Sequence, residues 1–120
     1  MGFAPITPGG SVKPQLLWSS SATTMKAQTL TIDGLDAYSV FLFVVATDTA
    51  QSFIHSVIVS RDSGDISTSD SSINHRSVTF STSNLNQVKI GAGYYIGTYN
   101  DKNGTDANSV NVIKKIYGLF

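Results

Sequence analysis

Residues 38–47 read YSVFLFVVAT and contain the longest apolar run of the 120-residue chain. Side chains of a β-strand alternate between its two faces, so Phe41 and Phe43 would lie on one face and Leu42 and Val44 on the other. Both faces are apolar, whereas a strand of an antiparallel sandwich normally shows one face to water. The segment therefore predicts a strand that is either central in its sheet or covered on its outer face, for example by another subunit.

Other segments alternate with the same period of two. Residues 51–60 follow across a short link and predict a hairpin with residues 38–47. Six further segments have strand character: 15–20, 27–33, 75–82, 87–90, 94–99 and 109–119. Turn signals separate them, and Asn103-Gly104 predicts a hairpin between the last two, because both residues tolerate positive φ. The expected fold is an all-β antiparallel sandwich, jelly-roll-like, with about eight strands.

Composition supports this fold and excludes several classes of function. All acidic residues are Asp, and Glu, which favours helices, is absent. Cysteine is absent as well, which excludes disulfides and thiolate metal sites. Eight basic residues balance eight acidic ones, so no positive field favours nucleic acid as a partner. No apolar run approaches the roughly 20 residues of a membrane-spanning helix, so we expect no membrane insertion.

The chain divides into an N-terminal arm and one domain. Residues 1–14 carry all three prolines and no sustained period, which is typical of an arm or linker. Residues 15–120 hold the strand pattern and form the predicted β-sandwich domain. Within it, residues 61–74 are polar and rich in Ser, Asp and Gly, which predicts a long loop, and long loops on rigid scaffolds often bind ligands.

That loop and nearby tyrosines supply the candidate receptor contacts. Aromatic rings pack on the apolar side of a pyranose, and their polar edges bind its hydroxyls. The residues that could form such a platform are Trp18, Tyr94, Tyr95, Tyr99 and Tyr117. Packing in the core is the competing and favoured interpretation for aromatic residues in strands, Trp18 included. The predicted contact residues are Asp62, Asp65, Asp70, Asn74, Tyr95 and Tyr99.

Catalytic and metal sites are not predicted. His55 and His75 are the groups expected to titrate near neutral pH, but no Gly-x-Ser-x-Gly motif accompanies them and His55 shares the parity of apolar neighbours in its strand. Residues 101–106 resemble the opening of a calcium loop. No Glu follows at the twelfth position and Lys102 lies within the loop, so a simple hairpin explains the segment. We expect a protein that is not an enzyme and needs no cofactor.

Short segments spread over the whole domain resemble a known family. In order they read LLWSS at 16–20, AQTL at 27–30, LDAY at 35–38, HRSVTF at 75–80, VKIGAGY at 88–94 and IKKIYGL at 113–119. Together they resemble a C-terminal module of tail-associated structural proteins of phages and prophages of Gram-positive bacteria. The resemblance covers residues 15–120, and this chain departs from the family in having a short proline-bearing arm instead of a long fibre shaft.

The resemblance implies a virion component of the tail fibre or baseplate, made in the bacterial host cytoplasm. It implies a homotrimer that contacts the host surface, and it supplies no catalytic residues. We expect this chain to contact other tail proteins and to bind saccharides of the host cell surface. Two alternatives remain open. One is a purely architectural virion or assembly protein, and the other is a carbohydrate-binding module of a lysin, whose gene would continue into a catalytic domain. The host, the receptor and the strand order are not readable from the sequence.

Overall fold

A computed structural model describes residues 13–47, 53–62, 64–69, 72–97, 103–104 and 108–120. These residues form strands and one turn of 3-10 helix, Leu35–Ala37. The strands are β1 (Gln15–Ser19), β2 (Gln28–Thr31), β3 (Val40–Ala46), β4 (Ile54–Ser60), β5 (Asp65–Ser69), β6 (Ser72–Phe80), β7 (Gln87–Gly97), β8 (Asn103–Gly104) and β9 (Val112–Gly118). The described residues contain no helix that could span a membrane.

The strands form two antiparallel sheets that pack against each other. The first sheet has the order β1-β9-β3-β4, and the second has the order β2-β7-β6-β5, with β8 paired to β7. The predicted all-β sandwich is therefore confirmed. Strands early in the chain pair with strands late in it, β1 with β9 and β2 with β7. The hairpins β3–β4 and β5–β6 instead join neighbours in sequence.

The core lies between the sheets and is centred on β3. Phe41 and Phe43 are fully buried, as the alternating pattern predicts, while Leu42 and Val44 on the outer face are half-buried. The ring of Phe41 stacks on Phe80 of the second sheet with centroids 4.8 Å apart, and Phe43 meets Phe80 edge-on at 6.4 Å. These aromatic contacts join the two sheets. The predicted β3–β4 hairpin is confirmed, with β3 inside the sheet and β4 at its edge.

The prediction of one polar loop over residues 61–74 is wrong. Most of this segment forms β5 and the start of β6, which pair with each other. In β5, Ile66 and Thr68 are buried while their neighbours are exposed. Only one of these two residues is apolar, so the period of two is too weak to be recognised in a Ser- and Asp-rich segment. Thr is a good strand former because of its β-branched side chain.

Residues 91–93, Gly-Ala-Gly, separate the predicted strands 87–90 and 94–99, but they lie inside β7. The pairing of β6 with β7 shifts register between Arg76 and Val78, where β7 carries one extra residue. Gly91 lies at this β-bulge, and a Cβ there would come within 1.9 Å of Ser77 Oγ. The extra residue exchanges the two faces of the strand. Even-numbered residues of β7 point to the core before the bulge, and the even-numbered Tyr94 after it points to solvent.

The predicted hairpin between residues 94–99 and 109–119 is also wrong. Asn103 and Gly104 form β8, which pairs with Ile96 and Tyr95 of β7. The chain then crosses to the first sheet, where β9 lies between β1 and β3. Val112, Ile113 and Ile116 of β9 are fully buried. A strand with this much apolar surface is stabilised by a central position, which outweighs the local tendency of Asn-Gly to form a tight turn.

Gly118 provides a test of how closely β9 packs against the 3-10 turn. A Cβ at Gly118 would lie 2.5 to 2.6 Å from three ring carbons of Tyr38, whose ring also meets Phe41 edge-on at 6.4 Å. Gly118→Ala should therefore lower the free energy of unfolding by about 2 kcal/mol, the usual cost of overpacking. Urea denaturation measures the change. In a Tyr38→Ala background the same substitution should cost less than about 0.5 kcal/mol. Equal costs in both backgrounds would contradict the predicted clash.

Candidate functional site

The outer face of the second sheet presents an exposed cluster of aromatic, imidazole, carboxylate and aliphatic groups. Its members lie on β5, β6 and β7, and we call it the Tyr94 cluster: Asp65, Ile73, His75, Tyr94 and Ile96. His75 is directly opposite Tyr94, and Ile73 is directly opposite Ile96. Tyr94 is 37% exposed, and both isoleucines are also exposed. The cluster is therefore a continuous surface on adjacent strands, with no loop needed to assemble it.

The rings of the cluster hold one another in place. His75 and Tyr94 stack with centroids 4.8 Å apart and an angle of 25° between their planes. His75 Nε2 lies 3.4 Å from Asp65 Oδ2, and the Asp65 side chain is 55% exposed. The carboxylate thus orients the imidazole, and the imidazole supports the tyrosine ring. A ring held in advance loses little conformational entropy when a ligand binds.

A buried arginine lies directly beneath the cluster. Arg76 follows His75 in β6 and points into the sandwich, where it is fully buried. Its Nε donates to the carbonyl oxygens of Val110 and Asn111, each at 3.1 Å, and its Nη2 donates to that of Val110 at 2.8 Å. Its Nη1 donates to the carbonyl of Gly91 at 2.8 Å. Arg76 therefore ties β6 to the bulge of β7 and fixes the strand that presents the tyrosine ring.

Burial also shifts the titration of this arginine. Desolvation lowers the pKa of Arg76 to about 10, so the guanidinium is still charged at neutral pH. Within the described residues no carboxylate forms an ion pair with it. Carbonyl oxygens therefore solvate the charge. The charged form of Arg76 is stable in the interior only while the carbonyl groups of its three partner residues stay in position.

Asn111 extends the buried polar network to the edge of the second sheet. Its φ is 47°, a left-handed conformation that Asn adopts more easily than most residues. Its Oδ1 accepts a hydrogen bond from Thr68 Oγ1 at 2.7 Å, and its Nδ2 donates to the carbonyl of Ile66 at 3.1 Å. The chain entering β9 is thereby joined to β5 across the sandwich. The network positions all three strands that carry the Tyr94 cluster.

The predicted contact residues do not gather in one place. Asp65 belongs to the cluster, and Asp62 is exposed in the turn after β4. Asn74 is 4% exposed on the inner face, and the half-buried Tyr95 lies opposite it on that face, so neither offers an open surface to a receptor. Asp70 and Tyr99 lie outside the described residues.

The contact residues predicted from the sequence leave out His75 and Tyr94, which belong to the Tyr94 cluster, and the sequence analysis does not predict that Arg76 is buried. For Arg76 a signal exists, because it shares the parity of the inward-facing Val78 and Phe80. The alternation of residues does not predict that Tyr94 faces solvent, because the β-bulge just before it exchanges the two faces of β7. The packing expected for Trp18 is confirmed, since it lies against the core.

The two histidines belong to different sheets. His55 lies in β4 and is half-buried, and its Nε2 has no hydrogen-bond partner in the described part of the chain. His75 lies in β6 with Asp65 as its neighbour. Across the described ranges, no three His or Asp side chains are grouped closely enough to hold a metal ion. Most of the segment resembling a calcium loop, residues 101–106, lies outside those ranges.

No family model, curated protein or solved structure matches this chain. The chemistry of the Tyr94 cluster is therefore the guide to function. Its aromatic and aliphatic side chains offer apolar contact area, and the carboxylate of Asp65 accepts hydrogen bonds at one end of that area.

Proposed function

We propose that this chain is a non-catalytic module of a phage tail fibre or baseplate that binds saccharides of the host cell surface. The observation that carries the binding function is the Tyr94 cluster, an exposed and rigidly supported aromatic surface beside a carboxylate. The assignment to a phage tail rests on the resemblance over residues 15–120. The all-β sandwich is compatible with such a module.

The chemistry of a pyranose suits the cluster. A pyranose has an apolar face of C–H groups and a rim of hydroxyls. The ring of Tyr94 and the exposed Ile73 and Ile96 would contact the C–H face. The carboxylate of Asp65 would accept hydrogen bonds from hydroxyls, and such charge-assisted bonds are stronger than neutral ones. The surface is open, so we expect each site to bind weakly and several sites on one particle to raise the avidity.

A second apolar surface bears on the architectural alternative. Four side chains lie in one row across the outer face of the first sheet: Leu16, Tyr117, Leu42 and Ile58. The two at the ends of the row are exposed, and the two between them are half-buried. An exposed apolar row of this kind is suited to contact with another protein, so it favours the architectural alternative, in which the chain binds virion proteins and no saccharide.

Removing the tyrosine ring tests the binding function. Tyr94→Ala should weaken binding of the purified domain to host cells or to an arrayed glycan about tenfold, because the stacking surface is lost. Tyr94→Phe should retain most of the affinity. Leu85→Ala is the matched control, since Leu85 is an exposed apolar residue in the turn that precedes β7. Binding that is unchanged by both Tyr94→Ala and Asp65→Asn would contradict the proposal and favour the architectural alternative. Deleting residues 61–74 is unsuitable as a test, because it removes β5.

A further inference from the structure

The outer edge of β4 lacks the features that usually prevent strands from pairing between molecules. Exposed edges are normally protected by charged side chains, proline, bulges or short length. Among the other edge strands, β1 carries a bulge between Leu16 and Trp18, β2 has four residues, and β5 begins at the charged Asp65. By contrast, β4 has seven residues, Ile54–Ser60, with neither charge nor proline, and pairs with β3 without a register shift. Within the described strands, β3 is its only partner.

The hydrogen bonds of the β3–β4 hairpin determine which residues of β4 point to its free edge. Thr47 N donates to the carbonyl of Phe53 at 3.0 Å, and Arg61 N donates to the carbonyl of Ser39 at 3.0 Å. Odd-numbered residues of β4 therefore form the hydrogen-bonded pairs with β3. In an antiparallel ladder the remaining residues direct both N–H and C=O to the other side. The free edge thus presents the backbone groups of Ile54, Ser56 and Ile58.

These three residues are self-complementary. If two copies of β4 pair antiparallel around a two-fold axis at Ser56, the Ile54 of each copy lies opposite the Ile58 of the other. Both isoleucines lie on the outer face, and they are 63% and 61% exposed. The same register brings the free N–H and C=O groups of all three residues into hydrogen-bonded pairs, about six bonds in total. The formal net charge is zero at pH 7, so two copies do not repel each other.

We propose that two copies of this chain associate through β4, which joins their first sheets into one continuous antiparallel sheet. The two-fold axis makes the interface isologous, with the same patch used by both chains. The Tyr94 cluster lies on the outer face of the other sheet and stays open. This inference goes beyond the proposed function. It gives a dimer, whereas the family resemblance implies a homotrimer.

Opposite charges at Ser56 test the pairing. Ser56 is exposed on the outer face, so Ser56→Lys and Ser56→Asp should leave the fold intact. Each places two like charges face to face across the axis, which destabilises the pair. Light scattering with size-exclusion chromatography at about 10 to 200 µM should give twice the 12.8 kDa chain mass for the wild type and the single mass for each variant. An equimolar mixture of the two variants should recover the double mass.

The control is Thr31→Lys, which adds the same charge to an exposed residue of another edge strand and should leave the dimer unchanged. A wild-type chain of single or triple mass over this range would overturn the inference. Ser56→Lys that keeps the double mass, or a mixture that stays at the single mass, would also overturn it. Thermal unfolding of each variant checks that it is folded. If the wild-type chain has the single mass and its glycan binding still depends on Tyr94, the β4 dimer is excluded but the proposed binding function is not.

Discussion

Replacing Arg76 with methionine should lower the free energy of unfolding by about 3 to 4 kcal/mol. Methionine keeps much of the length of the side chain but removes its four hydrogen bonds to the carbonyls of Gly91, Val110 and Asn111. Each of these carbonyls loses a charged donor inside the sandwich, where water does not replace it. The expected loss is a large fraction of the 5 to 15 kcal/mol that usually stabilises a domain.

Urea denaturation followed by tryptophan fluorescence measures this loss, because Trp18 lies against the core. Lys89→Met is the matched control, since it removes an exposed cation from β7 and should change the stability by less than about 0.5 kcal/mol. A loss below about 1 kcal/mol for Arg76→Met would mean that the carbonyls are satisfied without the guanidinium.

Phe41→Ala should be the most destabilising single truncation that we predict, at about 4 kcal/mol. Phe41 is fully buried, and it meets Phe80 of the second sheet and Tyr38 beside β3. The guanidinium carbon of Arg61 lies 5.4 Å from the centroid of the same ring. Removing the ring leaves a cavity between the sheets at their main aromatic contact, and this cavity adds to the lost burial of apolar surface.

Calorimetry should show the midpoint of unfolding lowered by about 15 °C for Phe41→Ala, given the size of the domain. Phe53→Ala provides the control, because it makes the same truncation at a residue that is 52% exposed, and it should shift the midpoint by less than about 4 °C. Similar shifts for the two variants would show that the contact between the sheets does not depend on Phe41.

The two surfaces proposed for function use different parts of the sandwich. Saccharide binding is assigned to the outer face of the second sheet, and self-association is assigned to the β4 edge of the first. Substitutions at Tyr94 and at Ser56 should therefore act independently, apart from the avidity that a dimer adds. Measuring both readouts on both variants separates the two proposals.

Part of the candidate site was accessible to sequence reasoning. The polar segment at residues 61–74 predicts Asp65 as a contact residue, and Asp65 does lie in the Tyr94 cluster. The exposure of Tyr94 could not be predicted from the sequence, because Tyr94 faces solvent only as a result of the β-bulge at Gly91. That bulge exists where Ser77 of the neighbouring strand leaves no room for a side chain. A one-residue shift of this kind exchanges the faces of a strand and leaves no period in the local sequence.

The sequence by itself determined the fold class, the strand β3 within residues 38–47, its hairpin with β4 and the absence of disulfides. These features depend on side-chain alternation and composition, which are local properties. Only the tertiary structure decided that β9 leaves its predicted partner for the first sheet, that Arg76 is buried and that β5 is a strand. These outcomes depend on contacts between residues far apart in the chain, since buried apolar surface and paired backbone groups are gained only when distant strands meet.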